Sequence, residues 1–375
     1  MKKISRIFLF ILSAALTFGF AIYNFSVSQA QTNQRERQVS ATPTPKTSAT
    51  PPGIRDLPPP PPLPIEDDTP IKIDVELVNL NVRVVDRNNR PISNLRKGDF
   101  TIYEDNVLQT IDDFSKGEVP TNYSLVIDNS GSLRSQLEKV IEAGKILIGT
   151  NRRDDETSII RFVSSEKIEI VQDFTPSKAD LNDALENLYI EGGPTAIIDA
   201  IYLAAERVDR YERTSGGDHK RRALVLVSDG EDRSSYYKEQ QLFDLLRESE
   251  VQIYAIGFIN ELESGGGFIS KSARGKAKAF LERLAKETGG KVYFPNSVSE
   301  LNSIAQDIAS ELRTQYSITY YPTNDNKDGS FRNIKVVVAD GPNKEKRIAV
   351  TRSGRTAGRD GSPTPTLQTP NKRTQ

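Results

Sequence analysis

A chain of 375 residues has room for two domains and non-globular ends, and its 50 Lys and Arg against 51 Asp and Glu leave it almost neutral. That balance argues against nucleic acid, or a broadly anionic membrane surface, as the main partner. The absence of cysteine excludes disulfides, thiolate metal sites, thiol nucleophiles and cysteine-linked lipids, so the fold must rest on core packing, helped by metal if one binds.

Lys2, Lys3 and Arg6 precede an apolar run over residues 7–22, and Ser28-Gln29-Ala30 places small residues at the spacing of a leader cleavage site. Residues 1–30 are expected to be a signal peptide cleaved after Ala30, which makes the protein exported: periplasmic, cell-surface or secreted. The alternative is an uncleaved N-terminal membrane anchor. Residues 31–70 hold eleven of the 21 prolines, including Pro58 to Pro62. Proline removes amide donors and favours an extended path, so this stretch reads as a semi-rigid linker.

From Ile71 the chain alternates with period two, first through Ile71, Ile73, Val75 and Leu77, then through Val78, Leu80, Val82 and Val84. Alternation means strand, and the change of phase implies a bulge or a bend. Strand pieces follow at 100–103 and 107–114 around a turn at Glu104-Asp105-Asn106. Residues 71–120 are thus a β-strand module. Over residues 121–313 strands and helices take turns: a buried strand at 123–127, an apolar one at 223–227, further strands at 158–163, 168–171, 251–258 and 291–294, and helical spacing through Leu137 and Ile148, Leu181 and Leu188, Ile197 and Val208, Leu242 and Leu246, Phe280 and Leu284, and Leu301 and Leu312. The expected fold class is α/β, a doubly wound, mostly parallel sheet with helices on both faces.

Period two returns at Tyr316, Ile318 and Tyr320, at 334–338, and at Ile348 and Val350. These strands are too few to be stable alone, so 314–351 is expected to pair with 71–120 in one small β-sandwich. That sandwich also accounts for Tyr316 and Tyr320 as packed side chains. Residues 352–375, rich in Gly, Thr, Pro and Arg, are expected to be a disordered tail.

Open parallel sheets bind ligands beyond the carboxyl ends of their strands. Asp128 ends the strand 123–127 and is followed by Ser130 and Ser132; Asp229 follows the strand 223–227 after one serine; Gly192-Gly193-Pro194-Thr195 opens a helix. Alone, Ser132 and Thr195 are ordinary helix caps and Asp229-Gly230 an ordinary turn. Together the three loops present hydroxyl and carboxylate oxygens, which suit Mg²⁺, Ca²⁺ or Mn²⁺ better than zinc. Glu231 and Asp232 follow directly and read as an acidic turn facing solvent.

These segments resemble the von Willebrand factor A domain, whose metal-ion-dependent adhesion site combines Asp-x-Ser-x-Ser with a Thr and an Asp from two further loops. All five positions match, as Asp128, Ser130, Ser132, Thr195 and Asp229, within Leu125-Val126-Ile127-Asp128-Asn129-Ser130-Gly131-Ser132, Gly192-Gly193-Pro194-Thr195 and Leu226-Val227-Ser228-Asp229-Gly230. Asn129 falls on an unconstrained position of the motif. The flanks 75–82, 95–106 and 316–324 look like the bacterial VWFA-related family. The resemblance implies that one ion is held directly by Ser130 and Ser132, directly or through water by Thr195, and mostly through water by Asp128 and Asp229. It also implies a protein ligand that presents Asp or Glu to the ion.

No general base is evident beyond the motif aspartates. His219 sits in a polar loop, and Gly265–Gly267 does not make a phosphate loop. The reading is therefore a non-enzymatic, adhesion-type binding module. The alternatives are a structural component of an envelope assembly with a loop-stabilising metal, and a metal-dependent hydrolase.

Overall fold

The computed structural model describes residues 76–358 except 118, 212–219 and 263–271. The expected leader, the Pro-rich linker, the alternation at 71–75, His219, Gly265–Gly267 and the stretch 359–375 lie outside the described residues. Four strands come first: β1 (Val78–Val85), β2 (Phe100–Glu104), β3 (Val107–Gln109) and β4 (Ile111–Lys116). The α/β region then runs β5 (Thr121–Asp128), α1 (Leu137–Gly149), β6 (Glu156–Ser164), β7 (Lys167–Thr175), α2 (Lys178–Glu186), α3 (Ile197–Arg210), β8 (Arg221–Ser228), α4 (Glu239–Glu248), β9 (Gln252–Gly257), α5 (Ala273–Thr288), β10 (Lys291–Tyr293) and α6 (Leu301–Arg313). Last come β11 (Tyr316–Tyr320), β12 (Phe331–Val338), β13 (Ile348–Val350) and β14 (Gly354–Thr356).

The six-stranded central sheet has the order β10-β9-β8-β5-β6-β7. Its neighbours are parallel except β6 and β7, which are joined by a hairpin and run antiparallel. Every residue of β5 and β8 is buried, because both faces of the sheet are covered. Tyr123, Leu125 and Ile127 of β5 pack with α1, α2 and α6, while Val126 packs with α3, α4 and α5. This is the mostly parallel, doubly covered sheet that the strand and helix alternation predicts. The chain leaves β5 toward β6 and later returns on its other side as β8, so the strand order reverses between β5 and β8. A crevice opens at such a reversal, beyond the carboxyl ends of the two strands.

The flanking strands make two antiparallel sheets, β13-β1-β11-β4 and β14-β12-β2-β3. One residue, Thr110, separates β3 from β4, and there the chain passes from one sheet to the other. The inner faces share a core that includes Leu80, Ile102, Ile318, Ile334 and Val338. Phe100, Phe114 and Tyr316 cluster in it with ring centroids 5.0–5.7 Å apart. Tyr316 Oη donates to Ile92 O at 2.9 Å and accepts from Leu95 N at 3.0 Å. Tyr321, by contrast, is exposed.

One expectation is corrected. The stretch starting at residue 352 does not begin as a disordered tail: β14 pairs with β12, and Arg355 is 4% exposed. Its guanidinium meets Glu104 at 3.1 Å and Glu76 at 2.8 Å, and Tyr320 Oη donates to Glu104 at 2.5 Å. A carboxylate inside the sandwich needs a cation and donors to offset its desolvation, and the last strand brings them. Gly354 permits the approach, since a Cβ there would lie 2.3 Å from Arg332 O. Composition does not reveal such a strand, because it has no apolar alternation.

Both connections between the sandwich and the α/β region lie at the amino ends of the parallel strands. One is the segment before β5 and the other the segment after α6. Arg221, the first residue of β8 and 2% exposed, joins them. Its Nη1 donates to Leu312 O at 2.8 Å, and its Nη2 donates to Gln315 O at 2.8 Å and Gly117 O at 3.3 Å. Arg83 of β1 adds an ion pair to Glu311 of α6 at 2.8 Å. The carboxyl ends of β5 and β8 stay on the opposite edge.

Candidate functional site

Asp128 is the last residue of β5 and Ser228 the last of β8. The parallel register pairs Ile127 with Val227, which brings these two side chains level. Ser228 Oγ donates to Asp128 Oδ2 at 2.8 Å and accepts from Gly230 N at 3.1 Å. The other carboxylate oxygen, Asp128 Oδ1, accepts from Ser130 N at 2.8 Å. A short helical turn over Gly131–Leu133 follows and sets Ser130 Oγ 2.9 Å from Ser132 Oγ. Asp229 takes the next position on the neighbouring strand, with Oδ1 accepting from Glu231 N at 2.9 Å. Asp128 is 0% and Asp229 4% exposed.

Thr195 arrives on the loop that opens α3. Gly192 and Gly193 turn this loop with φ of 76° and 153°, a region that side chains beyond glycine rarely adopt. The loop is stitched to both others. Thr195 O accepts from Arg233 N at 2.8 Å and Ser234 N at 3.1 Å, while Ser234 Oγ donates to Pro194 O at 3.0 Å. On the other side Asn129 O accepts from Glu191 N at 3.1 Å, and Asn129 Nδ2 donates to Tyr189 O at 2.5 Å. All five residues singled out in the sequence therefore belong to three loops hydrogen-bonded to one another. Thr195 is 4% exposed, and its hydroxyl makes no hydrogen bond among the described residues.

The electrostatics are unusual for a protein interior. The Asp128 carboxyl is pushed up to about 6, first by burial, which disfavours the charged form, and further by the Asp229 charge. Hydrogen bonds from Ser130 and Ser228 act in the opposite direction. Among the described residues no Lys or Arg forms an ion pair with either carboxylate. Two neighbouring buried carboxylates with no protein cation are costly, and a divalent cation is the counter-charge their oxygens suit. Among the described residues no group of three or more His, Cys, Asp or Glu side chains is placed to hold a metal ion; beside the two carboxylates the three loops carry the hydroxyls of Ser130, Ser132 and Thr195.

The acidic turn after Asp229 has a structural use. Asp232 Oδ1 accepts from Ile198 N at 3.3 Å and Ser235 Oγ at 2.5 Å, capping α3. Asp199 in the first turn of α3 accepts from Tyr236 N at 2.8 Å and Tyr237 N at 2.9 Å. Glu231 pairs with Arg233. The N-cap position of α3 falls on Ala196, so Thr195 lies one residue before the cap and its hydroxyl has no capping role. Two positioning residues are not evident from the sequence pattern. Ser228 is visible only as a polar interruption after an apolar strand, and Asn129 sits on a position the motif leaves open.

Residues 124–307 match the von Willebrand factor type A domain family. An uncharacterized protein of Synechocystis is 35% identical over 114 residues, covering 30% of this chain and 26% of that protein, so the chain spans about a quarter of the curated relative's length. Among solved structures, a von Willebrand factor type A protein from Catenulispora acidiphila aligns with a TM-score of 0.43 at 12% identity, over 75% of each chain. Proximal thread matrix protein 1 of the mussel byssus, with a zinc-occupied adhesion-site motif, aligns with a TM-score of 0.40 at 20% identity over 52% of this chain and 48% of that one.

Proposed function

Because residues 124–307 form a von Willebrand factor A domain, we propose that Asp128, Ser130, Ser132, Thr195 and Asp229 hold one divalent cation through which the domain binds a carboxylate of a protein partner. The observation that carries this reading is the uncompensated pair of buried carboxylates beside three hydroxyls. The ion would supply the missing counter-charge, and with hydroxyls and water as its other ligands it would keep positive character toward an incoming Asp or Glu. Ser228 and the Ser130 amide orient Asp128, while Asn129 and the Arg233–Ser234 amides hold the Thr195 loop against the other two.

We place the site outside the cytoplasm because basic residues at positions 2, 3 and 6 precede the apolar run over residues 7–22. Titration of the chelator-treated protein with Mg²⁺, Mn²⁺, Ca²⁺ and Zn²⁺ should show one ion per chain, and Asp229→Ala should abolish it. Zinc is included because the mussel protein has it at the corresponding motif. Failure of all four ions to bind the wild-type chain rejects the reading. For the partner, capture from an envelope extract in Mg²⁺ should be lost in chelator and in Asp128→Ala. Turnover of a phosphate ester, abolished by the same substitution, would move the reading to a hydrolase.

Asn129→Ala removes the side-chain link to Tyr189 O without touching a proposed ligand. It should weaken cation binding about tenfold, the usual cost of losing an outer-shell partner. Titration of this variant beside wild type checks that, and unchanged affinity would show that the backbone bonds alone hold the loops.

A further inference from the structure

The loop that carries Thr195 runs between α2 and α3 with no helix or strand of its own from Asn187 to Ala196. It lies against the end of β6. At Gly193 the approach is so close that a Cβ would stand 2.7 Å from Val163 Cγ1. Two residues before Val163 comes Arg161, which is 6% exposed. The parallel register sets Arg161 level with Ile127 of β5, one residue short of Asp128.

The Arg161 guanidinium joins two elements. Across the hairpin its Nε donates to Glu169 Oε2 of β7 at 2.8 Å. Toward the loop its Nη2 donates to Tyr189 Oη at 2.6 Å, its Cζ lies 4.2 Å from the Tyr189 ring centroid, and its Nη1 is 3.5 Å from Glu191 Oε2. Lys167 of β7 pairs with the other Glu191 oxygen. Tyr189 and Glu191 are also the residues whose main chain meets Asn129, beside Asp128. The hairpin thus grips by their side chains the two residues that the Asp128 loop grips by their backbone. Between Glu191 and Thr195 stand Gly192, Gly193 and Pro194. The two glycines have no side chain to fix them, so the course toward Thr195 depends on the anchors on either side. A planar fork can reach a carboxylate, a phenol and a second carboxylate together, which a lysine cannot.

We propose that Arg161 is a positioning residue for the cation site, holding Tyr189 and Glu191 so that the Thr195 hydroxyl faces the ion. The inference rests on the reading of Thr195 as a cation ligand. Its sign is distinctive. A positive side chain near a divalent cation repels it, so an arginine acting by charge alone would tighten ion binding when removed. An arginine acting through Thr195 weakens binding when removed.

The full chain, freed of metal, is titrated with Mg²⁺, Mn²⁺, Ca²⁺ and Zn²⁺, and variants are compared in the ion that wild type binds. Arg161→Met should bind it about tenfold more weakly, and Arg161→Lys, which keeps the charge without the fork, should be weakened too. In a Thr195→Val background Arg161→Met should change affinity by less than about twofold, since both changes act through one hydroxyl. Without metal, hydrogen exchange at the Glu191 and Gly192 amides should quicken in Arg161→Met while β5 stays protected. Should Arg161→Met not fold, Tyr189→Phe carries the test: it deletes one hydrogen bond at an exposed ring, and should weaken ion binding about threefold. Equal or tighter binding by the variant tested, or an Arg161→Met effect that persists undiminished in Thr195→Val, overturns the proposal and leaves the cation reading intact. A wild-type chain that binds none of the four ions rejects the cation reading and this inference with it.

Discussion

Replacing Asp128 by Asn should make the metal-free protein more stable at neutral pH while removing its capacity to bind a divalent cation. The sign follows from the raised carboxyl. The Asp128 pKa is about 6 in the fold against an ordinary value of 3.8, so the native state holds its proton more tightly than the unfolded state does. Below the unfolded value both states are protonated and the group is neutral in its effect. As pH rises through the folded value, the native state must ionise a carboxyl that is 0% exposed, and stability falls by roughly 2–3 kcal/mol. Asn keeps the shape and avoids that ionisation. Urea unfolding in chelator should therefore show the variant ahead of wild type by about 2 kcal/mol at pH 7.5, with the gap closing toward pH 4. With saturating cation the order should reverse, because only wild type gains ligand stabilisation. A variant less stable than wild type in chelator at pH 7.5 would falsify the account of a strained, cation-seeking carboxylate.

The second large effect is expected at the joint, far from the cation site. Arg221→Met should destabilise the chain by about 3 kcal/mol, because the buried carbonyls of Leu312 and Gln315 and the half-buried carbonyl of Gly117 lose their donors while Met fills most of the volume. Burial lowers the guanidinium to about 10, so it remains charged near neutrality and its hydrogen bonds to carbonyls are charge-assisted. Both segments entering and leaving the sandwich depend on this one side chain. Limited proteolysis should therefore cleave first near residues 117–120 and 314–315 in the variant. A urea midpoint within error of wild type would mean that Arg83–Glu311 and the remaining joint contacts suffice.

Much of this organisation is legible in the chain itself. Period two around Leu80, Val82 and Val84, and helical spacing through Ile197, Ile201 and Val208, are local signals, since each residue's burial follows from the geometry of its own element. Asp128, Ser130 and Ser132 are likewise legible, because oxygens two residues apart at a strand's carboxyl end converge without help from distant parts. Thr195 and Asp229 need only the further premise that parallel strands bring their following loops to one edge.

What the sequence by itself determined, then, was the alternation of elements and the five oxygen-bearing residues. The tertiary structure alone decided which groups satisfy them. Asp232 rather than Thr195 caps α3, Ser228 holds Asp128, and Asn129 ties two loops together. Thr110 marks the passage between two sheets, and Arg355 closes a strand where composition reads as tail. The reason is physical. A hydrophobic period repeats along the chain and shows in any window, whereas a buried polar group takes whichever partner the fold brings within about 3 Å. For Arg221, Arg83 and Arg355 the partners Leu312, Glu311 and Glu104 lie 91, 228 and 251 residues away.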